Sequence, residues 1–234
     1  TVTVHKSFFT DSQGYLILPK NLEIGHYRIE EVTAPDGYVM NKNYVEITVD
    51  SDTAYEVDGV SGDVIIEVSY EDQPVKGNLA VYKKGEMLSG FEKDFIYKEQ
   101  YLSGAEFEVR AAEDICTPDH QKDADGNRIV LYAKDTLVTT ITTGESGKAV
   151  AKDLPLGRYY VVETKAPEGF VLNPEPVKVA LTYQDQVTPI VEAEAIVGND
   201  RQKVSISVEK QDAETGSTVA GATFGLYNLS LIHI

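Results

Sequence analysis

The alternation of apolar and polar positions predicts short β-strands along the chain. Leu79, Val81 and Lys83 fall on one face of a two-residue period, and residues 206–210 repeat that arrangement. Segments such as 177–182 are rich in Val, Leu and Thr, and clusters of Gly, Pro and Asp separate such segments. No helical period is sustained. We therefore predict an all-β chain, folded as a sandwich or a partly closed barrel.

The chain also repeats itself. Residues 25–41 and 157–173 share, without a gap, the pattern G-x-Y-x-x-x-E-x-x-A-P-x-G-[YF]-V-[ML]-N. A second matching pair follows at 72–83 and 199–210, where each copy ends in an alternating strand that finishes with Lys. Long copies in the same order indicate tandem repeats of one structural unit.

The order of the repeated segments predicts the limits of the units. Residues 1–75 form a unit that lacks its opening strand, residues 76–202 form a complete unit, and residues 203–228 are the opening strands of a third. Residues 229–234 match no part of the repeat and are expected to be a non-native tail. Any secretion signal is expected either to lie outside the sequence or not to exist.

Composition excludes several classes of function. The net charge of -17 would be repelled by phosphate backbones, so a nucleic-acid partner is not expected. No apolar run approaches the ~20 residues that a membrane helix needs. Because Cys116 is the single cysteine, no disulfide can form within the chain. The stability of the folded chain must therefore come from a hydrophobic core, a metal or another kind of covalent link.

The repeat resembles the B-type domain of Gram-positive collagen adhesins, also called the SpaA-like or prealbumin-like pilin domain. The segments around Glu31 and Glu163 look like that family's signature strand and its A-P-x-G-[YF] turn. The strands that end in Lys83 and Lys210 look like its opening strand. The resemblance covers residues 1–228, and it implies tandem immunoglobulin-like β-sandwiches on the cell wall of a Gram-positive bacterium.

The resemblance also implies a self-formed isopeptide bond between a Lys of the first strand and an Asn or Asp of the last, promoted by a buried acid. In the complete unit the matching residues are Lys83 as nucleophile, Asn199 as acceptor and Glu163 as the catalytic acid. In the first unit they are Glu31 as acid and Asp72 as acceptor.

The other units hold only part of this set. Asp72 has no opening-strand Lys in this chain, because Lys6 precedes a turn at 10–14 that parallels 143–147 and so belongs to a mid-domain strand. Lys210 has neither acid nor acceptor. Asp72 and Lys210 are therefore unpaired crosslink candidates.

The residue types suit this chemistry on physical grounds. An amine attacks only when neutral, and desolvation in an apolar core lowers the pKa of a Lys toward that state. Lys83 continues the face of Leu79 and Val81, so alternation points it inward. A carboxyl buried beside an amide has its pKa raised, so Glu163 can donate a proton to the Asn199 carbonyl. This is single-turnover maturation, and an enzyme acting on an external substrate is not predicted.

Simpler interpretations of the same residues stay open. Lys83 can be a solvated strand-end residue, Glu163 an exposed strand charge and Asn199 a turn residue. No cofactor or metal is predicted. Residues 123–127 resemble a calcium loop without its bidentate Glu, and Cys116 has no catalytic partner.

The predicted function is a structural stalk or spacer that holds a binding tip away from the cell wall. Its partners would be neighbouring repeats of the same chain, with a host extracellular-matrix or cell-surface ligand bound through other domains. One alternative is a host-ligand-binding module that uses the insertion at 85–101 or the loop at 114–127. Another is a subunit of a sortase-assembled pilus, which requires a pilin Lys; Lys20 lies in a Leu-Pro-Lys-Asn segment that lacks the Tyr of the pilin motif.

Overall fold

The computed structural model describes residues 7–50, 56–57, 64–92, 95–119 and 121–225. Within these ranges the regular secondary structure is entirely β, which confirms the all-β prediction. The first part of the chain holds β1 (Gly25–Glu30), β2 (Tyr38–Val39), β3 (Tyr44–Val49), β4 (Glu56–Val57), β5 (Val64–Ile65) and β6 (Gln73–Pro74). The middle part holds β7 (Lys76–Phe91), β8 (Phe95–Tyr101), β9 (Glu106–Ala111), β10 (Ile115–Cys116), β11 (Val130–Tyr132), β12 (Leu137–Thr142), β13 (Lys148–Pro155), β14 (Gly157–Lys165), β15 (Val177–Leu181) and β16 (Ile190–Asn199).

The middle part folds into a β-sandwich of two facing sheets. One sheet has the order β12-β9-β14-β15 and is antiparallel throughout. The other has the order β13-β7-β16, in which β7 runs antiparallel to β13 and parallel to β16. Parallel neighbours cannot be joined by a tight hairpin, so the chain passes through the opposite sheet between them. The first and last strands of the sandwich therefore lie side by side.

The core of the sandwich is built from the inward positions of both sheets. The alternation predicted for Leu79 and Val81 is confirmed, since both are fully buried in β7. The facing sheet contributes Phe107 from β9 and Tyr159 and Val161 from β14, also fully buried. Burying each such side chain contributes about 1.5–3 kcal/mol, so this apolar interior is a main source of the stability of the sandwich.

Residues 85–101, interpreted from the sequence as a long insertion, contain a β-hairpin. The outer half of β7 continues beyond the sandwich and pairs antiparallel with β8, from Lys84 opposite Tyr101 to Phe91 opposite Phe95. The returning strand β8, with the sequence FIYKEQY, is rich in aromatic residues that favour extended backbone. The hairpin therefore projects from the strand that carries Lys83.

The first part of the chain is less completely packed. β1 pairs antiparallel with β3, β2 with β6, and β4 with β5. Large apolar side chains such as Phe9 and Ile17 are 86% and 81% exposed. Val75, placed at the end of this unit by the sequence prediction, is buried in the core of the sandwich.

The segment 206–210, which was expected to be a strand, does not form one in the structure. Ile206 and Val208 are 71% and 59% exposed, and the nearest pairing is an isolated bridge between Gln211 and Thr218. Alternation makes a segment suited to a sheet, but a strand forms only against a partner. The limits 1–75, 76–202 and 203–228 stay predictions. Lys6 and the tail at 229–234 lie outside the described residues.

Candidate functional site

Three strands bring a Lys, a Glu and an Asn together inside the sandwich. Lys83 lies on β7 opposite Val197 of the parallel neighbour β16, and Asn199 ends β16 opposite Gly85. Glu163 reaches the same point from β14 in the facing sheet. Two members of the set therefore come from adjacent strands, and the third closes over them from the opposite layer.

The three side chains are in direct contact. The Lys83 ammonium donates a hydrogen bond to Oδ1 of Asn199, and its Nζ lies 3.1 Å from Oε1 of Glu163. The Asn199 Nδ2 donates to both carboxylate oxygens of Glu163, at 2.9 Å each. The structure thus brings the three candidates into one cluster.

The cluster is shut off from solvent. Lys83 is 0%, Glu163 2% and Asn199 8% exposed, and the Phe107 ring lies 6.0 Å from the Lys83 Nζ. Burial lowers the pKa of Lys83 from its ordinary value, while the hydrogen bond and charge of Glu163 act in the opposite direction. Desolvation prevails, so the environment moves this amine toward its neutral, nucleophilic form.

The hydrogen bonds differ in one respect from the sequence expectation, which had the acid donating to the Asn199 carbonyl. In the structure Glu163 faces the amide nitrogen of Asn199, and Lys83 holds the carbonyl oxygen. This follows from the donors and acceptors involved, because an ammonium can only donate and so meets the carbonyl oxygen, whereas a carboxylate can only accept and so meets the amide nitrogen. Glu163 consequently touches both nitrogen atoms of the cluster.

A backbone contact that the sequence analysis missed orients Glu163. The Asn173 N–H donates to Glu163 Oε2 at 2.8 Å, and the Asn173 side chain donates to the carbonyl of Gly198 at 3.1 Å. The signal was present, because Asn173 is the last residue of the repeated motif. The first unit has the same geometry, since the Asn41 N–H donates to Glu31 Oε2 at 2.7 Å.

Gly85, which lies opposite Asn199 on the neighbouring strand, admits a close approach of two apolar side chains. A Cβ at this position would lie 2.4 Å from Cε1 of Phe170 and 2.7 Å from Cδ1 of Leu102. Only a residue without a side chain lets Phe170 and Leu102 pack against the strand opposite Asn199. No pattern in the sequence identified Gly85, because the close approach joins segments far apart in the chain.

The first unit holds an acid–acid pair at the equivalent position. Burial first, then a hydrogen bond and charge repulsion from Glu31, raise the pKa of Asp72 from 3.8 to about 6. The Asp72 Oδ1 is buried without a hydrogen-bond partner. Glu31 and Asp72 are therefore brought together, as the repeat predicts.

The remaining candidates are not brought to a site. Lys210 is exposed, and its Nζ lies 3.3 Å from the carbonyl of Gln211. Lys20 is also exposed. Asp123 accepts hydrogen bonds from the backbone of Asp125 and Asn127, which makes the segment a closed turn. Cys116 is half-buried with a free thiol. Across the described ranges no group of three potential metal-ligating side chains occurs, nor any helix able to cross a bilayer.

Comparison with known proteins identifies the family of the chain. The SpaA family, described as a prealbumin-like fold domain, matches residues 1–62 and 91–195. The chain therefore belongs to the SpaA family of prealbumin-like fold domains. No curated protein matches the chain.

Solved structures similar to the chain include pilins of Gram-positive bacteria. The Bacillus anthracis TIE protein is 26% identical with a TM-score of 0.44, over 77% of this chain and 26% of that one. The major pilin SpaD from Corynebacterium diphtheriae is 23% identical with a TM-score of 0.33, over 54% of this chain and 30% of that one. The shaft pilin SpaA from Lactobacillus rhamnosus GG is 16% identical with a TM-score of 0.35, over 77% of this chain and 66% of that one. The chain spans less than a third of the first two proteins.

Proposed function

We propose that this chain is a load-bearing stalk segment of a Gram-positive cell-surface protein, stabilised by a self-formed isopeptide bond between Lys83 and Asn199. Its location would be the cell wall, and its immediate partners the neighbouring repeats. One observation carries the proposal: a buried amine, a buried carboxamide and a buried carboxyl group are in mutual contact.

The proposed reaction uses Glu163 as a proton carrier between two nitrogen atoms. The Lys83 ammonium gives a proton to the Glu163 carboxylate, and the neutral Nζ attacks Cγ of Asn199. A bond forms between Nζ and Cγ, and a second proton from Nζ passes through the carboxyl group to Nδ2. The Cγ–Nδ2 bond then breaks and ammonia leaves, which leaves a secondary amide and a protonated Glu163. The contacts of Glu163, at 3.1 Å to Nζ and 2.9 Å to Nδ2, suit this relay.

The position of the bond explains its benefit. Lys83 and Asn199 are 116 residues apart in the chain. Closing a loop of this length would stabilise the folded unit by about 5 kcal/mol through the lost entropy of the unfolded chain. That is comparable with the whole stability of many domains. Unlike a disulfide, an amide is not broken by reduction, which suits a chain whose single cysteine is unpaired.

Intact-mass measurement of the full chain tests the proposal. The wild-type mass is expected to fall short of the sequence mass by one ammonia, and proteolysis should release a branched peptide that joins Lys83 to Asn199. Lys83→Met and Glu163→Gln should both restore the full sequence mass. Glu163→Gln keeps the size of the side chain and one acceptor oxygen, but it cannot carry the proton.

A neighbouring lysine provides the matched control. Lys84 lies on the outer face of β7 and pairs with Glu99 at 3.3 Å, so Lys84→Met should leave the mass deficit intact. A wild-type chain with the full sequence mass would refute the crosslink, as would loss of the deficit in Lys84→Met alone.

A further inference from the structure

The first unit contacts the sandwich through a defined set of turn and loop residues, which we call the inter-unit joint. On one side is the A-P-x-G-Y turn and the strand after it, residues 34–40. On the other side are Pro118, Asp119 and Gln186, which lie in loops of the sandwich. None of these loop residues belongs to the crosslinking cluster, and no repeated motif of the sequence includes them.

Gln186 holds the turn with both its side chain and its backbone. Its Oε1 accepts a hydrogen bond from the Ala34 N–H at 3.0 Å, and its carbonyl accepts one from the Met40 N–H at 2.8 Å. One residue therefore satisfies backbone donors at both ends of the turn. Ala34 is 6% exposed, so its N–H would be left unsatisfied without this partner.

The turn also fits closely against Pro118. Gly37 has a φ of +92°, which favours glycine, and a Cβ there would lie only 2.6 Å from Cβ of Pro118. Beside it, burial and the charge and hydrogen bonding of Asp119 raise the pKa of the Tyr38 hydroxyl. The loop at 118–119 is thus in close contact with the middle of the turn.

Apolar packing continues across the joint, and the residues that connect the two units are hydrogen-bonded on both sides. Val39 packs against the core of the sandwich, and Val75 is part of that core. The Val75 N–H donates to the Gly37 carbonyl at 2.8 Å, and the Lys76 N–H to the Pro189 carbonyl at 3.0 Å. The connection is therefore packed and hydrogen-bonded along its length, unlike a flexible linker.

The same turn recurs in the second unit, where its outer face is open. The Gln202 N–H donates to the Gly169 carbonyl at 2.8 Å, just as Val75 does to Gly37. Gly169 also has a φ of +82°, but nothing lies within 4 Å of its Cβ position. The two turns share sequence and hydrogen bonding, and they differ in whether loops such as those at 118–119 and 186 cover them.

From these contacts we propose that the surface formed by Pro118, Asp119 and Gln186 is a receptor for the A-P-x-G-[YF] turn of the preceding repeat, and that it locks consecutive repeats in one orientation. The turn at 166–170 would present the same face to the repeat that follows. The proposal rests on the repeat organisation proposed above but not on the isopeptide bond, whose mass test is independent.

The first experiment measures cooperativity across the inter-unit joint in the full chain. Gln186→Ala removes the acceptor of Ala34 but not the backbone acceptor of Met40. If the joint locks as a unit, amide exchange should accelerate about tenfold at both Ala34 and Met40. Residual dipolar couplings should show one shared alignment of the two units in the wild type and separate alignments in the variant. Gln184→Ala, at an exposed neighbour, should change neither.

The second experiment separates the contact with Pro118 from backbone strain. Gly37→Ala and Gly169→Ala place the same side chain at the same kind of positive φ, but only the first meets Pro118. Gly37→Ala should give the two units separate alignments in residual dipolar couplings, whereas Gly169→Ala should leave one shared alignment. Adding Pro118→Gly to Gly37→Ala should restore the shared alignment. Three results would overturn the proposal. The first is an equal effect of Gly37→Ala and Gly169→Ala on the alignment of the two units. The others are faster amide exchange at Ala34 alone in Gln186→Ala, and separate alignments of the two units in the wild type.

Discussion

At the scale of single residues, the chemistry of the site depends on close contacts that involve no charge. Gly85 lies opposite Asn199 in the parallel register, and its missing side chain admits Phe170. In the proposed reaction, packing around the site would help to position the groups, in addition to their own hydrogen bonds. A displacement of about 1 Å can slow an intramolecular reaction on the order of a hundredfold.

Gly85→Ala is therefore expected to slow formation of the Lys83–Asn199 bond about tenfold to a hundredfold. The new methyl group would displace Phe170 and Leu102, whose atoms lie 2.4 Å and 2.7 Å from its position. The fraction of unreacted chain, followed by intact mass during incubation, measures the rate. Gly90→Ala is the control, because Gly90 lies on the same strand with nothing within 4 Å. Equal rates in the two variants would contradict the role given to Gly85.

Asp72 makes the stability of the first unit depend on pH. Burial and Glu31 raise its pKa from 3.8 to about 6, so the folded unit binds a proton more tightly than the unfolded chain does. The resulting stabilisation is fully present below 3.8 and is lost as the pH rises through about 6. The free energy of unfolding of this unit, measured in urea at a series of pH values, should fall as the pH rises. In Asp72→Asn this dependence on pH should be weaker. Glu46→Gln, at an exposed carboxyl on β3, should leave it in place.

At the scale of strands, the sequence predicted which face of a strand points inward better than it predicted which strands pair. Alternation correctly pointed Lys83 and Glu163 inward, since both follow buried apolar residues on their own strands. It also predicted a strand at 206–210, where the side chains are exposed. The period of a strand is a local property, whereas burial depends on a second strand elsewhere in the chain.

Long-range contacts could not be predicted from the sequence for the same reason. The approach of Phe170 to Gly85, and the two hydrogen bonds of Gln186 at the inter-unit joint, join segments distant in sequence. A single sequence carries no record of such pairings. The repeat was the exception, because two copies of one motif show which positions act together even when their partners are unknown. Whether Lys83 and Asn199 react stays a prediction.

At the scale of the whole molecule, the proposed bond divides the chain into extensible and inextensible parts. Pulled from its ends, an uncrosslinked sandwich would release the 116 residues between Lys83 and Asn199. That segment corresponds to a contour length of about 400 Å at about 3.5 Å per residue. The crosslinked sandwich would withhold this length at any force below that which breaks covalent bonds.

Single-molecule force spectroscopy on the full chain is expected to show this difference directly. Wild-type traces should lack an extension step of about 400 Å, and Lys83→Met traces should contain it. Lys84→Met serves again as the control and should behave as wild type. A step of that length in the wild-type chain would rule out a continuous covalent connection.

The parallel pairing of β7 with β16 has a mechanical consequence of its own, independent of any crosslink. The chain enters the sandwich at Lys76, opposite Ile190, and leaves it at Asn199, opposite Gly85. Traction applied at those two points pulls the adjacent strands past each other lengthwise, in shear. All the ladder hydrogen bonds then resist together, whereas an antiparallel pair pulled from one end would unzip bond by bond. The topology by itself already makes this unit hard to extend along the direction of the array.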